Sequence, residues 1–257
     1  MNCPTPYNFD QYVAWHNEVV EPGRDIITEL NSLMETLKED KSRFETLAQL
    51  LDKLSTVLLR AKKTNDIDVS SYKYEILLST QISNGKYDDI FKSVESIVDK
   101  LWRKNKDTTN YVTFENIKNN IKDLARSSVI LSTHHFANDF SKALPNWQQK
   151  FRLNNIPLDD FTNITEIKVE QEAKMASGYF AYHADVIYAD GVHVEIQIYS
   201  QLNEVWRGLS HKLYERTRLQ QDVEYGHGTS ASRLVSLGHL LHLAECEAER
   251  LQRDLEQ

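Results

Sequence analysis

The sequence predicts an α/β protein: a mixed β-sheet packed by helices, with helical additions before and after it. Three observations predict this. Stretches around 161–172, 178–188 and 192–198 alternate apolar and polar side chains, the period of a half-buried strand. The run 127–131 carries Val129-Ile130-Leu131 without polar alternation, as expected of a strand covered on both faces. Residues 8–63, and those after Ser200, repeat apolar residues at helical spacing.

Taken in order, Pro22-Gly23 breaks a first helix from a second, and Asp40-Lys41-Ser42 separates the second from a third. The third carries Leu47, Leu50, Leu51, Leu54 and Leu58 on one face. Helices are predicted over 93–105, 114–122 and 134–152, and 127–131 is read as the central strand. After Ser200, Leu202, Trp206, Leu209 and Leu213 form one apolar stripe, with Trp206 and Leu209 assigned to core packing. Leu234, Leu237, Leu241, Ala244 and Ala248 form another stripe, beyond a linker at 226–230. The expected division is an N-terminal helical region at 1–70, a core at 71–218 and a C-terminal helix at 219–257.

Composition narrows the function classes. The 257 residues are 40% hydrophobic, enough for a core, and lack an apolar run of membrane-spanning length. The N-terminus has no basic stretch followed by an apolar one, so no secretory signal is expected. Cys3 and Cys246 lie far apart and without metal-ligand spacing, which fits a reducing cytoplasm. A net charge of −8 argues against loose electrostatic binding of nucleic acid, DNA included, though it leaves room for a local basic groove.

The candidate site centres on Glu195. Within Val192–Ile198, strand periodicity puts His193, Glu195 and Gln197 on one face. A carboxylate on a rigid strand can act as a metal ligand or general base, and a solvated glutamate on an exposed face fits this run as well. The preceding strand fixes more. If Gly191 closes a three-residue loop with positive φ, Tyr188 faces Val192, Asp185 lies opposite Glu195, and His183 lies opposite Gln197. A two-residue loop would mix the faces, which a half-buried sheet resists. The hairpin therefore presents Tyr179, His183, Asp185, Glu195 and Gln197 together. Its side-by-side carboxylates call for a cation or a proton between them.

The run Gly178-Tyr179, His183, Glu195-Ile196-Gln197-Ile198, then Trp206, His211 and Tyr214, resembles the synthetase domain of the RelA/SpoT family. That domain carries G-Y-x-x-x-H and E-I-Q-I-R-T elements and a following helix with W and H. Lys92-Ser93, Ser96-Ile97 and Lys100-Leu101 resemble its K-S-x-x-S-I-x-x-K-L element. Asp123-Leu124-Ala125 with Val129-Ile130 resembles its D-I-A-G-x-R-V-I strand. The likeness covers roughly 86–218, in the right order.

The resemblance implies a nucleotidyltransferase-like synthetase fold and transfer of the β,γ-pyrophosphate of ATP to a 3′-hydroxyl. The acceptor is GDP or GTP, giving a (p)ppGpp-type alarmone, or the 3′ end of tRNA, as in toxic small members of the family. It implies Asp123 and Glu195 as catalytic Mg²⁺ ligands; on its own residues Asp123 reads equally as a turn aspartate. Lys92, Ser93, Arg103 and Lys104 become contacts to ATP phosphates, where spacing alone also allows a solvated helix face. Tyr179, His183, Lys168 and Gln197 become acceptor contacts, with Tyr179 stacked on the base. A homo-oligomer or an antitoxin protein is a further expected partner.

The departures are specific. Ile90, Ser128 and Tyr199 stand where the family carries arginines, and Met175 and Ser177 replace a lysine and an asparagine. Each lost charge-assisted bond weakens phosphate or base binding by about 1–3 kcal/mol. A catalytically silent module used for binding is therefore the alternative of a different class. With no His-Asp dipeptide, the family's metal-dependent hydrolase domain is not expected.

Overall fold

The computed structural model describes residues 2–65, 67–174, 179–218 and 226–255. The N-terminal region forms α1 (Phe9–Trp15), continued by a π-helical turn, then α2 (Ile26–Glu39) and α3 (Lys41–Thr64). Asp25 caps α2 through the amide of Ile27, and Asp40 caps α3 through that of Arg43. Leu47, Leu50, Leu51 and Leu54 are fully buried on α3, and Leu58 packs against the same core.

There follow β1 (Tyr74–Ile76), α4 (Leu77–Ser83), α5 (Val94–Asn105), the short α6 (Ile117–Asn120), β2 (Ala125–Leu131), α7 (His134–Ala143) and α8 (Trp147–Leu153). The chain then runs through β3 (Ile164–Lys174), β4 (Tyr179–Tyr188) and β5 (His193–Ser200) into α9 (Gln201–Arg218), and ends in α10 (Ser230–Leu255). No described helix is long and apolar enough to cross a membrane.

The strands make one mixed sheet in the order β1-β2-β5-β4-β3. β2 runs parallel to β5, and the other pairings are antiparallel. The run 127–131 is thus an interior strand, but the centre is β5. Sequence periodicity shows that a strand is covered on both faces and does not order the strands. One face of the sheet carries Val129, Leu131, Val194, Ile196, Ile198, Ala184 and Val186, buried in the same core as the leucines of α3 and the phenylalanines of α7.

The hairpin register is the expected one. Gly191 has φ +79°, its amide bonds the carbonyl of Tyr188, and Tyr188 bonds Val192. Asp185 pairs with Glu195 and His183 with Gln197. Arg43 of α3 clamps the loop by two bonds to Asp190, at 2.8 and 3.1 Å.

The C-terminal helices depart from the sequence reading. Trp206 is buried and donates its indole N–H to the carbonyl of Leu234, tying α9 to α10. Leu209, expected in the core, is 44% exposed, and Leu202, Ala244 and Ala248 are also exposed. Helical spacing shows that a stripe exists and does not show what covers it.

Candidate active site

The second face of the sheet presents Arg126, Ser128 and Ile130 from β2, Glu195, Gln197 and Tyr199 from β5, and Ala181, His183 and Asp185 from β4, in matching register. A cleft of about 510 Å³ opens over it, lined among others by Lys100, Asp123, Arg126, Glu195, His183 and Arg207. Glu172, Gln197, Trp206, Ser210 and His211 complete its wall.

Two carboxylates anchor the cleft. Asp123 sits just before β2. Beside it the backbone amide of Lys92 bonds the carbonyl of Leu124, so the segment leading into α5 lies against the strand start. Ser93 caps α5 by accepting the amide of Ser96, and Lys100 lies along that helix. Both lysines reach the aspartate: Lys92 Nζ is 2.9 Å from Oδ2 and Lys100 Nζ 2.5 Å from Oδ1. Burial works to raise the Asp123 pKa, and the two ammonium groups more than offset it, holding the carboxyl down to about 2.

Glu195 accepts Gln197 Nε2 at 2.6 Å and meets His183 Nδ1 at 3.1 Å, both on Oε1. Its Oε2 has no hydrogen-bond donor among the described residues. Burial again pushes the pKa up, and His183, Gln197 and the nearby Arg126 bring it below the ordinary glutamate value, so Glu195 is a carboxylate at neutral pH. His183 also places Nε2 2.9 Å from Glu172 Oε2. Gln197 is buried, and its Oε1 has no partner among the described residues, an acceptor open to a ligand's N–H or O–H.

The other expected residues divide. Lys168, on edge strand β3, pairs with Glu166 at 3.1 Å and lines a smaller pocket, about 120 Å³, with Asp185, His183 and Glu195. Arg103 is bonded to Asp99 at 2.7 Å and Lys104 is exposed; neither lines the cleft. The backbone of Tyr179 pairs with Lys174 at the start of β4, but its side chain, like Met175, Ser177 and Gly178, lies outside the described residues. Arg126 and Arg207 were not singled out from sequence. For Arg126 a signal existed, since it lies two residues before Ser128 and so on the same strand face; for Arg207, on a helix, there was none.

A divalent metal is testable against these donors. Hard carboxylate oxygens suit Mg²⁺, which usually takes one or two of them and completes its shell with water and phosphate. Glu195 Oε2 is such an oxygen, without a donor among the described residues, and Asp123 offers oxygens once a lysine yields. Among the described residues no group of three or more His, Cys, Asp or Glu forms a metal cage, so phosphate oxygens would have to supply the remaining ligands.

Residues 90–218, half of the chain, match the family described as the region found in RelA / SpoT proteins. The chain belongs to the RelA/SpoT family. Its RelA/SpoT region runs from Ile90 through the hairpin to the end of α9, and so takes in every cleft residue named above. Among solved structures, this RelA/SpoT protein is similar to small alarmone synthetase 1 from Bacillus subtilis, with 17% identity, a TM-score of 0.47, and 84% of this chain and 97% of that one covered. It is also similar to a GTP pyrophosphokinase family protein from Streptococcus pneumoniae, with 16% identity, a TM-score of 0.47, and 84% and 94% covered. The Bacillus subtilis protein bound to its product pppGpp gives 17% identity, a TM-score of 0.46, and 89% and 95% covered. No curated protein matches the chain by sequence.

Proposed function

We propose that this protein is an ATP-dependent pyrophosphokinase that moves the β,γ-pyrophosphoryl group of ATP onto the 3′-hydroxyl of GDP or GTP. The acting unit is 71–218, flanked by helical regions at 1–70 and 219–257. The observation that carries the reading is Glu195 of a RelA/SpoT region. It is ionised and half-buried in a cleft, with Oε2 free of donors among the described residues and a lysine-held aspartate in the same wall.

The 3′-oxygen bonds the β-phosphorus as the bond from that phosphorus to the α–β bridging oxygen breaks. AMP leaves, and the hydroxyl proton passes to Glu195 Oε2. Gln197 and His183, both bonded to Oε1, fix the orientation of the carboxylate. Lys92 and Lys100 sit where a polyphosphate would approach and can exchange Asp123 for phosphate oxygens. Mg²⁺, held by Asp123, would supply charge neutralisation on the phosphates when bound; Glu195 either takes the proton on Oε2 or holds the ion there, not both. Tyr179 is assigned to stack on the acceptor base, with Lys168 on the acceptor side.

The test is incubation with ATP labelled in the β- and γ-phosphates, separately with GDP, GTP and deacylated tRNA. Label in a guanosine product supports the reading; label in tRNA moves the acceptor to its 3′ end. A second reading, a silent binding module, is favoured by Ile90, Ser128 and Tyr199, all buried where the family carries arginines. ATP binding without transfer to any acceptor would establish it.

A further inference from the structure

Ser128 and Tyr199, two of the positions where cations are missing, are not independent losses. The Tyr199 hydroxyl donates to Ser128 Oγ at 2.5 Å, and both residues are 2% exposed on the cleft face of β2 and β5. Over the tyrosine ring lies the Arg207 guanidinium, 5.1 Å from the ring centre, reaching in from α9. Arg207 lines the cleft, as does Arg126, which sits in register with Glu195 on the neighbouring strand.

The cleft's cations are not equivalent. Lys92 and Lys100 are committed to Asp123. Arg126 and Arg207 have no carboxylate within 4 Å among the described residues. The contrast with Arg43 is instructive. It stacks on Tyr188 in the same manner, 4.7 Å from the ring centre, but its guanidinium is taken up by Asp40 and Asp190. At Arg207 the stacking is present without a carboxylate partner among the described residues. A planar guanidinium fixed by an aromatic ring, its N–H groups without a carboxylate partner among the described residues, in a cleft beside ionised carboxylates, is built to take a bidentate oxyanion.

We infer that Arg207, positioned by the Tyr199 ring that Ser128 holds, forms with Arg126 the polyphosphate-binding pair of this cleft. Together they take the place of the absent strand guanidiniums. The ligand class is the triphosphate chain of a nucleoside triphosphate. The inference rests on the reading of the cleft as an ATP site and deepens it. Arg207 touches the phosphates; Tyr199 acts through Arg207 and is a positioning residue.

The test is calorimetric titration of ATP, and of inorganic tripolyphosphate as a base-free probe, into the full chain and its variants, each checked by thermal melting. Arg207→Ala should weaken both ligands by about 10- to 100-fold without lowering the melting temperature, and flatten the salt dependence of binding. Arg207→Lys should restore only part of the loss, because an ammonium neither stacks nor binds in a fork. Tyr199→Phe, which keeps the ring, should bind near the wild-type level, and Tyr199→Leu should fall toward Arg207→Ala. If wild type binds and Arg207→Ala binds tripolyphosphate equally well, the inference is overturned while the proposed function stands. A wild-type chain that binds no ATP overturns both. A Tyr199→Phe loss as large as that of Tyr199→Leu overturns the positioning role of the ring.

Discussion

Asp185 and Glu195 lie directly opposite each other across β4 and β5, yet each turns to a different histidine. Asp185 meets His193 Nδ1 at 2.6 Å and Lys122 Nζ at 3.0 Å; Glu195 meets His183 Nδ1 at 3.1 Å. The pair of carboxylates is thereby divided into one matched by a histidine and a lysine and one whose Oε2 meets no donor among the described residues. Glu195→Gln should keep the shape and lower the transfer rate by at least about 100-fold with little change in melting temperature. Asp185→Asn should instead leave transfer largely intact and cost about 1–3 kcal/mol of stability, because His193 and Lys122 lose their acceptor. Parallel kinetic and melting measurements check both, and near-normal activity in Glu195→Gln would remove that residue from the mechanism.

Asp123 gives a prediction in pH. Its folded pKa, about 2, lies below the ordinary 3.8, so its ionised form stabilises the fold at pH values above the higher figure. That contribution, about 2 kcal/mol, is lost as pH falls from about 4 to 2. Asp123→Asn cannot titrate. Urea melts of wild type and variant should therefore differ at pH 7 and converge as the pH drops through that window. A gap independent of pH would show that the two lysines do not hold the carboxyl down.

The lysine geometry also ranks the cations of α5. Lys100→Ala should raise the dissociation constant for ATP about 10-fold or more, the scale of one charge-assisted bond. Arg103→Ala and Lys104→Ala should change it by less than about threefold, since Arg103 is 53% exposed and bonded to Asp99, and neither side chain lines the cleft. Titration of the three variants would reverse this ranking if the triphosphate lay along the outer face of the helix.

What was legible in the sequence was whatever local chemistry dictates. Gly191 after Ala189-Asp190 fixed the hairpin loop, and alternation on either side then fixed which residues share a face with Glu195. The leucine stripe of α3 was readable for the same reason. β1 was not, because three residues show no period, and its pairing with β2 is settled by the whole sheet. The ion pair of Lys100 with Asp123 joins residues 23 apart through a helix laid against a strand start, which no local pattern encodes. Arg207 reaches the cleft only because Trp206 docks α9 in one rotation, donating to the carbonyl of Leu234. Of the family positions that lost arginine, sequence showed three separate gaps; the fold joins two of them, Ser128 and Tyr199.

Tyr179 carries the acceptor side of the proposal. Stacking on a base is worth about 1–3 kcal/mol. Tyr179→Ala should therefore raise the acceptor's dissociation constant roughly 10- to 100-fold and leave ATP affinity alone. A core tyrosine would behave differently, costing the fold about 3–5 kcal/mol on truncation. Titration of both nucleotides beside a urea melt separates the outcomes, and a large stability loss with unchanged acceptor affinity would take Tyr179 out of the site.

His183 lies between two carboxylates, Nδ1 toward Glu195 and Nε2 toward Glu172, at 3.1 and 2.9 Å. A neutral imidazole donates to only one of them, and an imidazolium to both. Burial of Glu195 alone favours its protonated form, and the His183 bond is the largest influence opposing that. His183→Ala removes the donor and leaves the burial, so the Glu195 pKa must rise. A base that protonates at higher pH loses activity at higher pH. The acid limb of kcat/KM, which reports the free enzyme, should therefore move to higher pH in His183→Ala, while the rate well above the limb falls far less than in Glu195→Gln. The profile measured from about pH 3 to 9 decides it. An acid limb that stays in place, or moves to lower pH, would mean that the titrating group is not Glu195, and the proton acceptor would have to be sought elsewhere in the cleft.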